Sequence, residues 1–386
     1  MADGYRACLD YIENYWEKLT FSLKEDKGTL IALPHPFVSP SPEGTRYADN
    51  QFYWDSYFTV LGLVAAGKID LARGMVDNLL YLYKRFGIIP MRNHYYSLGI
   101  SQPPFLTSMA LEVFEHTHDK KWLLDVAETA EKELETYWLG EEHRAHKGLS
   151  RFLDHYLLHE TAEFESGWDR TSRFQDRCLD MLPIDLNCCL YKYEVDLAHI
   201  FTLMGDDKKK LRYQKAADER KCAILKLMHD PVEGYFFDYN FQTDMRSTFY
   251  SVAGFFPLWA GMLTTREATR VRDALKHFEH AGGVANTQLS LLMQPYRQWD
   301  YPNGWPCMQW IVIKGLLNYG YHEDAERVAA KWLDLNAHLF EKTGEMWEKY
   351  DVVNGDVGKS GRYPLQHGFG WTNAVFVRLC AEFGWK

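Results

Sequence analysis

Two kinds of helical segment alternate along this chain. The first is mostly apolar or small, as in Leu61-Gly62-Leu63-Val64-Ala65-Ala66-Gly67, Ala110 to Glu115, Leu197 to Met204 and Trp310 to Tyr319. A segment with no polar face is stable only when buried all round. The second kind follows a short turn of Gly, Asp or His. It carries Lys, Glu and Asp on one face and apolar residues at helical spacing on the other, as in Asp70 to Phe86, Lys120 to Trp138, Lys208 to His229 and Asp324 to Phe340. Asp, Gly and Asn in the turns supply caps and left-handed conformations. In most copies a Gly-led aromatic or acidic piece comes next, such as Gly234-Tyr235-Phe236-Phe237-Asp238-Tyr239 or Gly344-Glu345-Met346-Trp347-Glu348-Lys349-Tyr350.

This degenerate repeat predicts an all-α fold, an α/α barrel in which buried inner helices alternate with amphipathic outer ones. About a dozen helices of ordinary length use up the chain. Strand-like alternation is confined to short pieces such as Tyr235 to Tyr239. No Pro/Ser-rich linker separates two halves, so residues 1–386 are expected to form a single barrel domain. A helix and loop over about residues 1–50, including the Pro- and Ser-rich segment Pro34 to Gly44, pack on that barrel. Several motifs fall where helices open. Trp54-Asp55 precede a helix expected from Ser56, and Gln102-Pro103-Pro104 precede one from Phe105. Pro183-Ile184-Asp185 and Pro302-Asn303-Gly304-Trp305 begin others. Loops over one end of a rigid ring are a natural place for a site.

Composition narrows the function. With 46% hydrophobic and 25% charged residues the chain has the balance of a globular protein with a large core. A net charge of -10 argues against nucleic acid as partner, because neutralising phosphates needs a basic face. The N-terminus lacks the basic-then-apolar run of a secretory signal, and no apolar run reaches the roughly 18 residues of a membrane span. The 7 Cys show no CxxC spacing, so neither a zinc site nor a disulfide framework is expected. Buried, reduced thiols and a cytoplasmic location follow from this, with no membrane partner and no metal. The oligomeric state is not legible.

The 13 Trp and 24 Tyr direct attention to five aromatic segments. These are Phe52-Tyr53-Trp54-Asp55, Gly167-Trp168-Asp169, Gln298-Trp299-Asp300-Tyr301, Met346-Trp347-Glu348 and Gly368-Phe369-Gly370-Trp371. Cleaving a glycosidic bond takes one carboxylic acid and one carboxylate facing each other across a sugar ring. Aromatic rings grip the apolar faces of that ring. Taken singly, Asp169 reads equally well as a helix N-cap, Glu348 as a surface partner of Lys349, and each Trp as core. Together the five segments read as the wall of a carbohydrate pocket.

These residues resemble the trehalase family of glycoside hydrolases. The matching blocks are Tyr53-Trp54-Asp55-Ser56-Tyr57-Phe58-Thr59, Ser101-Gln102-Pro103-Pro104-Phe105, Glu165-Ser166-Gly167-Trp168-Asp169 and Pro183-Ile184-Asp185-Leu186-Asn187. Further along come Gln298 to Trp305, Glu348-Lys349-Tyr350-Asp351-Val352 and Gly368-Phe369-Gly370-Trp371-Thr372-Asn373, in family order. The resemblance implies an (α/α)6 barrel and cofactor-free hydrolysis of a small α-glycoside with inversion. It places the general acid on Asp169 and the general base on Glu348. Trp54, Asp55, Asn93, Gln102, Trp168, Trp305 and Trp371 are the expected substrate contacts, with Arg362 added from the leaving-group side.

Departures from the pattern cluster on that side. Arg362 stands where the family carries a Glu, and Ile100 stands where it carries an Arg. The family's Gly-Gly-Arg-Phe becomes Gly44-Thr45-Arg46-Tyr47. The half holding the cleaved sugar is therefore intact, while the leaving-group half looks rebuilt. Trehalose or a close α-glucoside is the first expectation. An anionic glycoside, glucosyl- or mannosylglycerate, is the alternative, since an Arg suits a carboxylate. A sugar epimerase using His94 and His367 on the same barrel is a more distant one.

Overall fold

The computed structural model describes residues 4–289, 297–359, 361 and 363–385. Arg362 therefore lies outside the described residues. In chain order the helices are α1 (Arg6–Leu19), α2 (Tyr53–Ala65), α3 (Ile69–Phe86), α4 (Leu106–Thr117), α5 (Lys120–Glu133), α6 (His159–Glu165), α7 (Ile184–Met204), α8 (Asp207–Leu227), α9 (Phe256–Trp259), α10 (Thr265–Asp273), α11 (Pro306–Asn318), α12 (His322–Thr343) and α13 (Gly370–Phe383). The inner ring runs α2, α4, α7, α9, α11 and α13, each packed on the next, with α13 returning to α2. Outside it, α3, α5, α8 and α12 each back the inner helix that precedes them, and α1 packs on α13. The outer helix α10 is tied to α12 by Arg272–Asp324 at 3.3 Å. This is the expected (α/α)6 barrel, with α6 as an extra short helix between α5 and α7.

Sequence explains the two roles. Every residue of α2 except Asp55 and Ala65 is buried. A Cβ on Gly62 would stand 2.3 Å from the Ala374 Cα of α13, so glycine is what lets these two inner helices approach. By contrast α3 buries a single stripe, Ala72, Met75, Val76, Leu79, Leu80 and Tyr83, at helical spacing. Each such large apolar side chain contributes roughly 1.5–3 kcal/mol on full burial.

Three helix starts differ from expectation. Helix α2 opens at Tyr53, so Trp54 and Asp55 lie in its first turn and not before it. Helix α4 opens at Leu106, one residue later than expected. Helix α11 opens at Pro306, because Asn303–Gly304 instead pairs antiparallel with Tyr350–Asp351, Asn303 opposite Asp351. Asp356–Val357 adds a third strand, and this small sheet sets the segment of Glu348 beside that of Trp305. The Tyr235 to Tyr239 piece splits, Tyr235–Phe236 pairing with His229–Asp230 and Tyr239–Asn240 with Met181–Leu182. All seven cysteines are free thiols, and only Cys222 is exposed. Among the described residues no helix is long and apolar enough to cross a membrane.

Candidate active site

A cavity of about 230 Å³ opens at the end of the ring where α2, α11 and α13 begin. That is smaller than the roughly 300–1,000 Å³ of sites for drug-sized ligands, which suits a small substrate. Asp55, Asp169 and Glu348 all line it, together with Trp54, Gln102, Trp305 and Trp371. Seven of the sequence-predicted site residues thus meet in one place.

Asp169 is half-buried on a loop that leaves α6. Ser166 Oγ donates to Glu163 O at 2.6 Å and accepts from Trp168 N at 3.0 Å, closing the turn. Gly167 then takes φ +75° with its Cα against the Trp54 ring. Beyond Asp169, the Asp300 carboxylate accepts from Thr171 Oγ1 at 2.7 Å and from Ser172 N at 2.9 Å. Arg297 donates to Thr171 O at 3.0 Å and reaches Asp176 at 2.8 Å. Arg173, fully buried, forks onto Asp238 through two 2.7 Å bonds and onto Asp185 through bonds of 2.5 and 2.7 Å. Glu163 accepts from Thr171 N at 3.2 Å, and burial pushes its carboxyl up to about 8. The loop of Asp169 is therefore held by charged hydrogen bonds, each stronger than a neutral one.

Glu348 comes from the opposite side of the chain's fold. One of its oxygens accepts from Lys349 Nζ at 2.5 Å and the other from Tyr363 Oη at 2.8 Å. Its backbone N donates to Gln366 O at 3.1 Å. Gln298 Nε2 donates to Tyr363 Oη at 3.1 Å, linking Glu348 to the loop that carries Trp299. Burial pushes the Asp55 carboxyl up to about 8, with the nearby Asp169 and Glu348 charges adding to the rise. Its exposed edge faces the cavity, so solvent or a bound hydroxyl there moderates the shift.

Five indoles form one cluster. Trp299 stacks on Trp305 at 4.1 Å and 4°, and lies 5.5 Å from Trp54 and 5.3 Å from Trp168. Trp371 meets Trp305 edge-on at 5.7 Å. Because they cover one another, only small parts of Trp54, Trp305 and Trp371 reach the cavity, each exposed by 4% or less. Trp371 Nε1 is buried and has no hydrogen-bond partner among the described residues. Gln102 Oε1 accepts from Trp54 N at 3.3 Å, so its amide NH₂ is the group left for a ligand.

Two expected contacts are not on the wall. Asn93 is fully buried, its Oδ1 accepting from Gln51 N at 2.8 Å and its Nδ2 donating to Ile31 O at 3.0 Å. It joins loops behind the site. Trp168 packs on Trp299, with the Arg173 guanidinium 4.8 Å from its ring, and supports the loop of Asp169 from inside. Asp300, in a Trp-Asp pair like that of Asp169, serves that loop as an anchor. Neither His94 nor His367 lines the cavity; His94 stacks on Tyr96 and His367 pairs with Glu345 at 3.2 Å.

Residues not singled out in the sequence complete the wall. Arg46 stacks over Tyr363 at 5.3 Å, and Tyr47 meets Tyr363 edge-on at 5.7 Å. Arg92 lies between Phe52 and Tyr96, 5.2 and 5.1 Å from their rings. Neither arginine makes an ion pair among the described residues. The Arg46-Tyr47 pair was the available signal for the first; Arg92, between Met91 and Asn93, carried none.

The trehalase family profile matches residues 2–161 and 150–384. The chain belongs to the trehalase family. It is 33% identical to the cytosolic neutral trehalase of Beauveria bassiana, over 91% of this chain and 59% of that protein. It is 34% identical to the cytosolic neutral trehalase of Kluyveromyces lactis, over 89% and 56%. The chain thus spans less than three-fifths of the length of these curated relatives. Neutral trehalase Nth1 from Saccharomyces cerevisiae superposes with a TM-score of 0.81 at 30% identity, covering 90% of this chain and 73% of that one. A mannosylglycerate hydrolase from Thermus thermophilus, solved in complex with glucose, shares the fold at TM-score 0.72 and 19% identity, over 96% and 99% of the two chains.

Proposed function

We propose that this chain hydrolyses α,α-trehalose, or a close α-glucoside, with inversion at the anomeric carbon. The observation that supports this best is the pair Asp169 and Glu348, lining one small cavity while held by unrelated parts of the chain. Asp169 donates its proton to the glycosidic oxygen as the C–O bond breaks. Glu348 takes a proton from a water that attacks the opposite face, and the positive charge building on the sugar ring lies between the two. Asp55 and Gln102 bind hydroxyls of the cleaved sugar, and the indole edges of Trp54, Trp305 and Trp371 pack on its carbon framework. The relatives' names place them in the cytosol, and the buried thiols of this chain suit the same compartment.

Glucosyl- or mannosylglycerate remains the second reading, favoured by Arg46 and Arg92 on the wall without acidic partners among the described residues. Sugar release from trehalose, glucosylglycerate and mannosylglycerate, measured side by side, tests both. Asp169→Asn and Glu348→Gln should each cut turnover roughly 10²–10⁴-fold or more while leaving the fold intact. Full activity in either variant removes that residue from the mechanism.

A further inference from the structure

Glu165, the last residue of α6, is fully buried and lies off the cavity wall. A carboxylate is costly to bury unless several donors satisfy it at once, and that requirement fixes the donors relative to one another. Four converge on Glu165. One oxygen accepts from Leu153 N at 2.6 Å and pairs with His143 Nε2 at 3.0 Å. The other accepts from the Tyr137 hydroxyl and from Ser101 N, 3.3 Å away. Tyr137 Oη in turn accepts from the same Ser101 N at 2.9 Å.

Two features connect this cluster with the cavity. Tyr137 sits in a widened turn, Leu134–Trp138, that closes the end of α5, with Leu139 N donating to Leu134 O at 2.9 Å. Single π turns of this kind are rare and occur frequently at functional sites. Here the turn delivers the Tyr137 hydroxyl to both Glu165 and Ser101 N. Ser101 also directly precedes Gln102, which lines the cavity. Bonds from Ser101 Oγ to Ile89 O at 2.7 Å and from Met91 N to Ile100 O at 2.8 Å hold this segment on one side. Tyr137 and Glu165 hold it on the other.

We infer that Glu165 is a positioning residue that sets Gln102 against the substrate through the Ser101 amide, with Tyr137 as its relay. This rests on the hydrolase reading above and deepens it by naming what holds one sugar contact of that site. Neither Glu165 nor Tyr137 lines the cavity, so a change at either acts through Gln102 and not through a lost contact of its own.

The test is a double-mutant cycle. Glu165→Gln keeps the size but replaces one acceptor oxygen with an NH₂, so it cannot accept from all four donors. Tyr137→Phe keeps the ring and removes the hydroxyl. Each should raise KM for trehalose about 3- to 10-fold, the scale of one weakened hydrogen bond, with kcat within about twofold of the parent. In a Gln102→Ala background neither should raise KM by more than about a further twofold, because the contact they position is already gone. KM effects that multiply in the double variants, or a loss confined to kcat, overturn the inference. A second readout needs no turnover. By hydrogen exchange, the Ser101 amide should exchange about 10-fold faster or more in Glu165→Gln, while the amides of α11 keep the parent's rates. Should the parent protein cleave no glycoside, the hydrolase reading fails, and the exchange still decides: an unaltered Ser101 amide overturns the role given to Glu165.

Discussion

Gly167→Ala is the most telling single change near the acid. Gly167 sits at φ +75°, where a Cβ costs about 1–2 kcal/mol. That Cβ would also lie 2.4 Å from Trp54 Cζ2 and 2.5 Å from Cε2, well inside van der Waals contact. The indole cannot yield easily, because Phe58, Trp299 and Trp371 surround it at 6.0, 5.5 and 5.6 Å. Overpacking of this kind costs about 1–3 kcal/mol, so the total loss should be about 2–5 kcal/mol. The alternative is movement of the loop by about 1 Å, which carries Asp169 with it. A misplacement of that size costs about 10²-fold in turnover. The assay is kcat on saturating trehalose beside a urea unfolding curve. A variant with kcat within about twofold of the parent and an unshifted unfolding midpoint would refute the argument that Gly167 sets the position of the acid.

Arg173→Met leaves Asp185 and Asp238 buried without their cation, which should cost about 3–5 kcal/mol in urea unfolding; a loss below about 1 kcal/mol would contradict the role given to this pair. Asp55 bears on pH dependence. Burial pushes its folded carboxyl up to about 8 against about 3.9 when unfolded, so between those values the native state holds the extra proton and stability falls as pH rises. Asp55→Asn removes that term, so the stability of the variant relative to the parent should climb from about pH 4 to pH 8; a constant difference across that window would show that Asp55 ionises normally.

Four of the six helix pairs were legible because α2–α3, α4–α5, α7–α8 and α11–α12 each pair an apolar run with an amphipathic one. The other two were hidden for physical reasons. Helix α9 is a four-residue turn too short to show a period, and the pair α1–α13 joins opposite ends of the chain. Asp169 and Glu348 were readable from their aromatic neighbours, yet the same signal made Asp300 look alike. Only tertiary contact distinguishes a carboxylate that lines a cavity from one clamped on Thr171 and Ser172 behind it. Asn93 was misplaced because a loop amide that bonds backbone groups has the same sequence signature as one that bonds sugar. Arg46, Tyr47 and Tyr363 went unassigned because they reach the cavity on segments far apart in sequence, joined by ring contacts that no local pattern records.

The central claim is that Asp169 and Glu348 act on opposite faces of the sugar. Proton NMR of the first glucose released from α,α-trehalose tests it most directly. Inversion predicts that α- and β-glucose appear in equal amounts before mutarotation, the β anomer from the attacked ring and the α anomer from the leaving group. An initial product that is entirely α would contradict the account, because it requires retention and carboxyls only about 5–5.5 Å apart.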